Sequence, residues 1–453
     1  MTPNPSETLM DHALALRWAD LPRAAQDAAL AFCRDTLAVG VAGTRAAHAD
    51  AVLAMARGWG EGSAAGVLGR PGTRLPAASA AFVNAFQIHG QEFDCVHEPA
   101  VLHPLATVLS ALLAEVERGE PVSGAAFLGA MVAGVDVAVA LGLAAPGPLR
   151  FFRPATAGIF GSVAAIATLR QPARGVALDA FGHALALVSG TMQAHVEGKP
   201  ALPLQVAQAA RSALVAMDLA CAGMPGVRHP LDGPFGYFAL LEEAEALAPV
   251  LAQLGAPHRI VQLSWKPFPT GRAGHGGIVA VQALMARGLR PEMLDRLDYH
   301  APPLIHRLVG RPAHAGMEPG YARLCLPYLA AVTLLRGTVG LGDFSPERLA
   351  DAQVLALAAK ISVIADDNPD AAAFVPARMQ AHLTDGASLS ETVEAQWGAP
   401  AWPLGRDDQT AKGRACLGFA GLEDRWEALA AAVAHLPAAP DAAACLRVSG
   451  IWG

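Results

Sequence analysis

NAFQIHGQEFDCVHEPAVLHPLATVLSALLA, residues Asn84 to Ala114, is the stretch whose reading decides the fold. An apolar, helix-like segment from Ala77 to Ile88 leads into it and delivers His89. A short polar loop then gathers Glu92, Asp94, His97, Glu98 and His103. Pro104 opens a second apolar run, with Leu105, Val108, Leu109, Leu112 and Leu113 at helical spacing. Proline is pre-organised for a first helical position, so the loop is predicted to end where this helix starts. Two core helices therefore carry a dense set of titratable groups between them. Catalytic groups favour loops held by rigid elements, and this loop is the first place to look for function.

The rest of the chain fits a large helical core. It has 453 residues, 53% of them hydrophobic and only 16% charged, so most helices must be buried on more than one face. The net charge of −7 argues against a general polyanion-binding surface, and nucleic acid is not an expected partner. The N-terminal MTPNPSETLMDHALALRWADL reads as a polar start and an amphipathic helix rather than a leader. Ala125 to Ala145 is long enough for a membrane span but is rich in Ala and Gly and carries Asp136 at its middle. A helix buried among helices is the expectation there, with no membrane partner. The cysteines Cys33, Cys95, Cys221, Cys325, Cys416 and Cys445 form no CxxC pair, as for reduced core residues of a cytoplasmic protein.

Helical spacing recurs over Leu21–Gly43, Ala46–Gly58, Ser123–Ala144, Ala155–Leu169, Leu178–Thr191 and Leu204–Gly223, predicting about ten helices and no sheet in this half. The character changes near Arg259. RIVQLSWKPFP, RLDYHAPPLIHRLVG, KISVIADDNP and ARMQAHLTDGASLSETV are short and rich in β-branched and aromatic residues, with turn residues between them. They alternate with helical patterns at Gly276–Ala286, Tyr328–Arg336 and Pro346–Lys360, which predicts an α+β unit. Ala-rich helix returns from Asp407 to Leu436. The fold class is mainly α. Residues 1–262, completed by 404–453, form the expected all-helical domain, and 263–403 the smaller α+β lid.

Common cofactor motifs are missing: there is no GxGxxG after a strand, no GxxxxGKS/T and no GxSxG. His89, Asp94, His97 and His103 are close in sequence, but their intervals match no familiar metal-ligand motif. No cofactor and no metal are expected.

Several segments, in order, resemble the MmgE/PrpD family, which includes 2-methylcitrate dehydratase, cis-aconitate decarboxylase and iminodisuccinate epimerase. They are CRDTLAVGVAG (from Cys33), HGQEFDCV with HPLATVLSALLA, GIFGSVAAIATL, AARSALVAMDLACAGMPG, LDGPFGYF, WKPFPTGRAGH and ARLCLPYLAAVTLLRG. The resemblance implies a homodimer without cofactor that forms a carbanion beside a carboxylate of a small di- or tricarboxylate. It places His103 as general base or acid and Asp94 as its orienting group or a proton carrier. Lys266 becomes the lid ammonium that stabilises an enediolate, and His275 and Tyr328 match further catalytic positions. Glu92, His89, Arg153, Lys199 and Arg272 are the expected substrate-binding groups. This chain departs from the family pattern where Glu92, Cys95 and Val96 replace Asp, Asp and Thr. The family lysine before the AAR step is out of register, with Lys199 its nearest substitute, Arg153 lies near a family histidine, and Gly271 stands where the decarboxylase branch has one. The expected activity is a 2-methylcitrate dehydratase-like hydro-lyase. Decarboxylase, epimerase and non-catalytic carboxylate-binding readings stand beside it.

Overall fold

The computed structural model describes residues 4–145, 147, 149–243, 246–370 and 372–452. It is 57% helical with small sheets, which makes the class mainly α. The helices that frame the site are α1 (Arg23–Ala42), α2 (Ala77–His89), α3 (Pro104–Arg118), α4 (Gly124–Leu143), α5 (Gly158–Arg170), α6 (Arg174–Leu187) and α7 (Ala201–Cys221).

Small residues set how these helices cross. A Cβ added to Gly134 of α4 would lie 2.8 Å from the Gly161 carbonyl oxygen of α5, and one on Gly161 would lie 2.5 Å from that of Gly134. The two backbones approach closely because neither glycine carries a side chain. Ser123 starts α4 by accepting a hydrogen bond from the Ala126 N–H (3.2 Å), as an N-cap serine does. The run that is long and apolar enough to span a membrane is this α4, and its most apolar window is 89% buried by neighbouring helices.

Past residue 270 come α8 (His275–Ala286), β1 (Leu294–Ala301), α9 (Leu326–Arg336), β2 (Ile361–Ala365), β3 (Ala377–Leu383) and β4 (Ser388–Val393). The sheet order is β2–β1–β3–β4; β2 runs parallel to β1 and the other neighbours are antiparallel. Ala377, Met379, Ala381 and Leu383 of β3 point inward on alternate positions, a period-two pattern that α8 covers, while α9 packs on β2. Helix α10 (Arg406–Phe419) packs on α1, joining the late chain to the early one.

Four local expectations need correction. RIVQLSWKPFP is not a strand: Arg259–Gln262 is a 3-10 turn, and Ser264 makes a single bridge to Val96 before Pro267 and Pro269 withhold donors. The first half does contain a sheet, a two-residue ladder between Ala65–Gly66 and Arg74–Leu75. The helix expected from Ala155 is split into Arg153–Thr156 and α5. Pro346–Lys360 is also two helices, Pro346–Leu349 and Ala352–Ala358, the second restarted by Asp351, which accepts from the Gln353 and Val354 N–H groups.

Gly43, just past α1, rests on α2 so closely that a Cβ would sit 1.9 Å from the Gln87 carbonyl oxygen. Gly43→Ala is expected to lower the urea midpoint by an amount equivalent to at least about 1–3 kcal/mol, because the clash is with backbone. Gly175→Ala on α6, where a Cβ meets nothing within 4 Å, should be neutral or slightly stabilising.

Candidate active site

Backbone pairing fixes the loop between α2 and α3. His97 and Leu102 exchange N–H to carbonyl hydrogen bonds (2.8 and 3.2 Å), closing one turn. Val96 and Ser264 exchange another pair (3.1 and 2.7 Å), which docks the 264–266 segment against the loop. Glu92 (φ 50°) and Val101 (φ 49°) are held in the left-handed region, a strained conformation that surrounding contacts must impose.

This docking brings Lys266 to Glu92. Its ammonium donates to Glu92 Oε2 (2.9 Å) and to the Glu92 carbonyl (3.1 Å), and the lysine is fully buried. Asp94, also fully buried, lies between two imidazoles. His89 Nδ1 bonds its oxygens at 3.1 and 3.2 Å, and His103 Nδ1 approaches Oδ2 at 3.2 Å without full hydrogen-bond alignment. His89 Nε2 lies 3.5 Å from Glu92 Oε1, and the two histidine rings meet edge to face at 4.9 Å. His89, Glu92, Asp94, His103 and Lys266 are thus one cluster.

Burial alone would discharge every member, and the pairing decides which resist. Burial opposes the charged form of Glu92, but Lys266, His89 and His103 overcome it and hold its carboxyl down at about 2. For Asp94, burial is likewise overcome by His103 and His89, leaving it well below the usual carboxylate range. His89 is pushed down by burial and up by Asp94 and Glu92, and the acids win. His103 goes the other way: burial outweighs Asp94, Lys266 opposes protonation too, and the net shift is downward. One imidazole is biased toward the proton and its neighbour away from it. Cys95 is no nucleophile here, since burial and Asp94 push its thiol well up.

Other predicted residues lie nearby with their polar groups already engaged. Arg153 is buried and bidentate with Glu242 (2.8 and 3.0 Å). Arg272 pairs with Glu98 (2.7 Å) and donates to the carbonyls of Trp265 and Trp397. His275 receives Arg272 at Nδ1 (3.2 Å); burial first, then Arg272 and Lys266, keeps it strongly deprotonated. Lys199 is half-exposed and bonded to Glu318 (2.8 Å). Tyr328 points elsewhere, its hydroxyl donating to the Asp343 carbonyl (2.6 Å).

Two cavities adjoin at Glu92, Leu202 and Leu324. The smaller, about 60 Å³, is lined by His103, Arg153, Arg272 and mostly apolar side chains. The larger, about 360 Å³, is lined by His89, Glu92, Lys199, Arg45 and Arg323. Among the described residues, two sets of ligand atoms are close enough to hold a metal ion: His89, Asp94 and His103, and, remote from this loop in sequence, His12, Asp136 and His258.

Three residues that matter here escape a reading of the sequence alone. Arg323 is buried, donates to the carbonyls of Gln91 (3.0 Å) and Pro269 (2.6 Å) and to the Gln91 side chain, and has no carboxylate partner among the described residues. Its only advance signal was a cation inside ARLCLPY, an otherwise apolar segment. Lys412 of α10 pairs with Asp35 of α1 (2.8 Å) and donates to the Phe93 carbonyl (2.9 Å), between Glu92 and Asp94. Glu242, the partner of Arg153, is 89 residues distant in sequence.

A mainly α chain with a buried carboxylate–imidazole cluster beside two adjoining cavities belongs to a definable class. The MmgE/PrpD N-terminal domain matches residues 7–249 and the C-terminal domain residues 268–437, and the chain belongs to that family. Among similar proteins, cis-aconitate decarboxylase of Mus musculus is 27% identical over 433 residues, covering 91% of this chain and 87% of the relative. The Homo sapiens cis-aconitate decarboxylase is 27% identical over 397 residues (84% and 81%), and the cis-aconitate decarboxylase-like protein oryM of Aspergillus oryzae 27% over 388 residues (80% and 77%).

Lys412→Met strands Asp35 in the core and should destabilise the protein by about 3–5 kcal/mol in chemical denaturation. Adding Asp35→Leu, which removes the uncompensated charge, should restore most of that loss.

Proposed function

We propose that this protein is a cofactor-independent lyase acting on a small di- or tricarboxylate, and that His103 is its base. One observation carries this: His103 has Nδ1 turned to Asp94, a pKa lowered by burial, and a place on the cavity wall. Nε2 is left for the cavity and is free of a proton near neutral pH. In the hydro-lyase reading, Nε2 takes a proton from the carbon beside a carboxylate, and the C–H electron pair enters an enediolate. The enediolate's pair then returns to form the C=C bond as the C–O bond of the neighbouring carbon breaks, and the hydroxyl leaves as water with a proton from His89, the imidazole biased toward its charged form. Asp94 orients both rings; held so firmly ionised, it is a poor proton carrier. Arg323, with Lys199 beside it, receives a substrate carboxylate. Lys266 acts by holding Glu92, and touches substrate only if Glu92 swings aside.

A second reading, decarboxylation, is favoured by the names of the relatives: the same site would protonate the carbanion left when CO2 departs. The helical body completed by residues 404–453, the lid over 263–403, a homodimer and a cytoplasmic location belong to the same proposal.

His103→Ala should lower kcat by about 10²–10⁴-fold with the circular dichroism spectrum unchanged. In the native protein kcat/KM should fall with acid through a pKa below 6.5, because the free base is the active form and burial depresses it. Proton NMR in deuterated water separates the outcomes: loss of water marks dehydration, loss of CO2 decarboxylation, and exchange alone epimerisation. Full activity in His103→Ala would remove it from the mechanism.

A further inference from the structure

The cavity beside His103 is built for hydrocarbon, although the site as a whole is expected to bind carboxylates. Most of its wall is apolar, Val101, Leu149, Phe152, Met192, Leu308 and Phe374 among it, with His195 as a further polar neighbour. The two guanidiniums that border it are already neutralised. Arg153 gives Nε and Nη2 to Glu242, and Arg272 gives Nε to Glu98 and its remaining nitrogens to backbone carbonyls. Glu92, also on this wall, is an anion held by Lys266. A carboxylate entering here would face Glu92 and have to displace an acid already bonded to each arginine, a costly exchange in a buried place. An alkyl group meets no such cost and gains about fourfold in binding per methylene.

The adjoining cavity has the opposite character. Arg323 stands there without a carboxylate partner among the described residues, its guanidinium 3.9 Å over the Phe344 ring, next to Arg45 and Lys199. The Lys199–Glu318 pair is solvent-exposed and yields cheaply to an incoming anion. The two chambers meet at Glu92, Leu202 and Leu324, so one small molecule can extend into both.

Building on the lyase reading above, we infer that the substrate is an alkyl-branched dicarboxylate, with its carboxylates at the Arg323 end and its apolar arm in the chamber beside His103. The chamber of about 60 Å³ holds roughly four to six water-sized groups, room for an arm of about three or four carbons.

The test uses the full chain and 2-alkylmalates with methyl to hexyl arms, compared with citrate, in which a carboxymethyl group occupies the arm position. Affinity by calorimetry and kcat/KM by product NMR are both measured. Affinity should rise about fourfold per methylene up to propyl or butyl and then fall, and citrate should bind at least tenfold more weakly than the propyl compound. Leu308→Ala should move the optimum to a longer arm. Affinity independent of arm length, or citrate bound as well as the propyl compound, would overturn the inference. Arm-dependent binding without turnover or solvent exchange would support the pocket assignment and overturn the lyase reading alone.

Discussion

A carboxylate removed from water has to be compensated where it lies, and this constraint organises the centre of the molecule. Asp94 has two imidazoles and Glu92 has an ammonium and an imidazole; Asp94 has no solvent to fall back on, and Glu92 meets only the cavities. The partners come from three separate parts of the chain, and each is held by backbone pairing or helix packing. The charges also fix the division of labour between the histidines. Lys266 opposes protonation of both rings, but His89 has Asp94 and Glu92 to outweigh it and burial, whereas His103 has Asp94 alone.

Packing supplies the rigidity that this balance requires. Glycine-to-glycine contact at Gly134 and Gly161 lets α4 and α5 approach more closely than larger residues would allow, and Gly43 does the same for α1 on α2. Helix α2 therefore presents His89 from a fixed position, and α3, started by Pro104, does so for the loop's far end. Within the loop itself, Glu92 and Val101 carry left-handed backbone strain.

Much of this was legible in the sequence, for definite reasons. Helical periodicity located nearly every long helix because the apolar faces are broad, and Pro104 marked a start that the structure keeps. His89, Glu92, Asp94 and His103 were visible because charge is rare in this chain and four such residues share one loop. Lys266 was found only through its motif; no local pattern says that a lysine after a tryptophan will be buried. Arg323, Lys412 and Glu242 were out of reach, because the pairs that define their roles span 89 to 377 residues. The strand expected at RIVQLSWKPFP failed for the converse reason: its β-branched composition is right, but two prolines leave one bridge where a ladder would need several.

The bond from Lys412 to the carbonyl of Phe93 also bears on how the chain is made. A ribosome releases the segment around Phe93 long before it has translated α10, so the nascent loop must wait without the cation that pins it. Until then Asp35 lacks the ammonium that it pairs with in the folded chain. Maturation of this centre is therefore a late, long-range event, even though most of its functional groups were among the first residues polymerised.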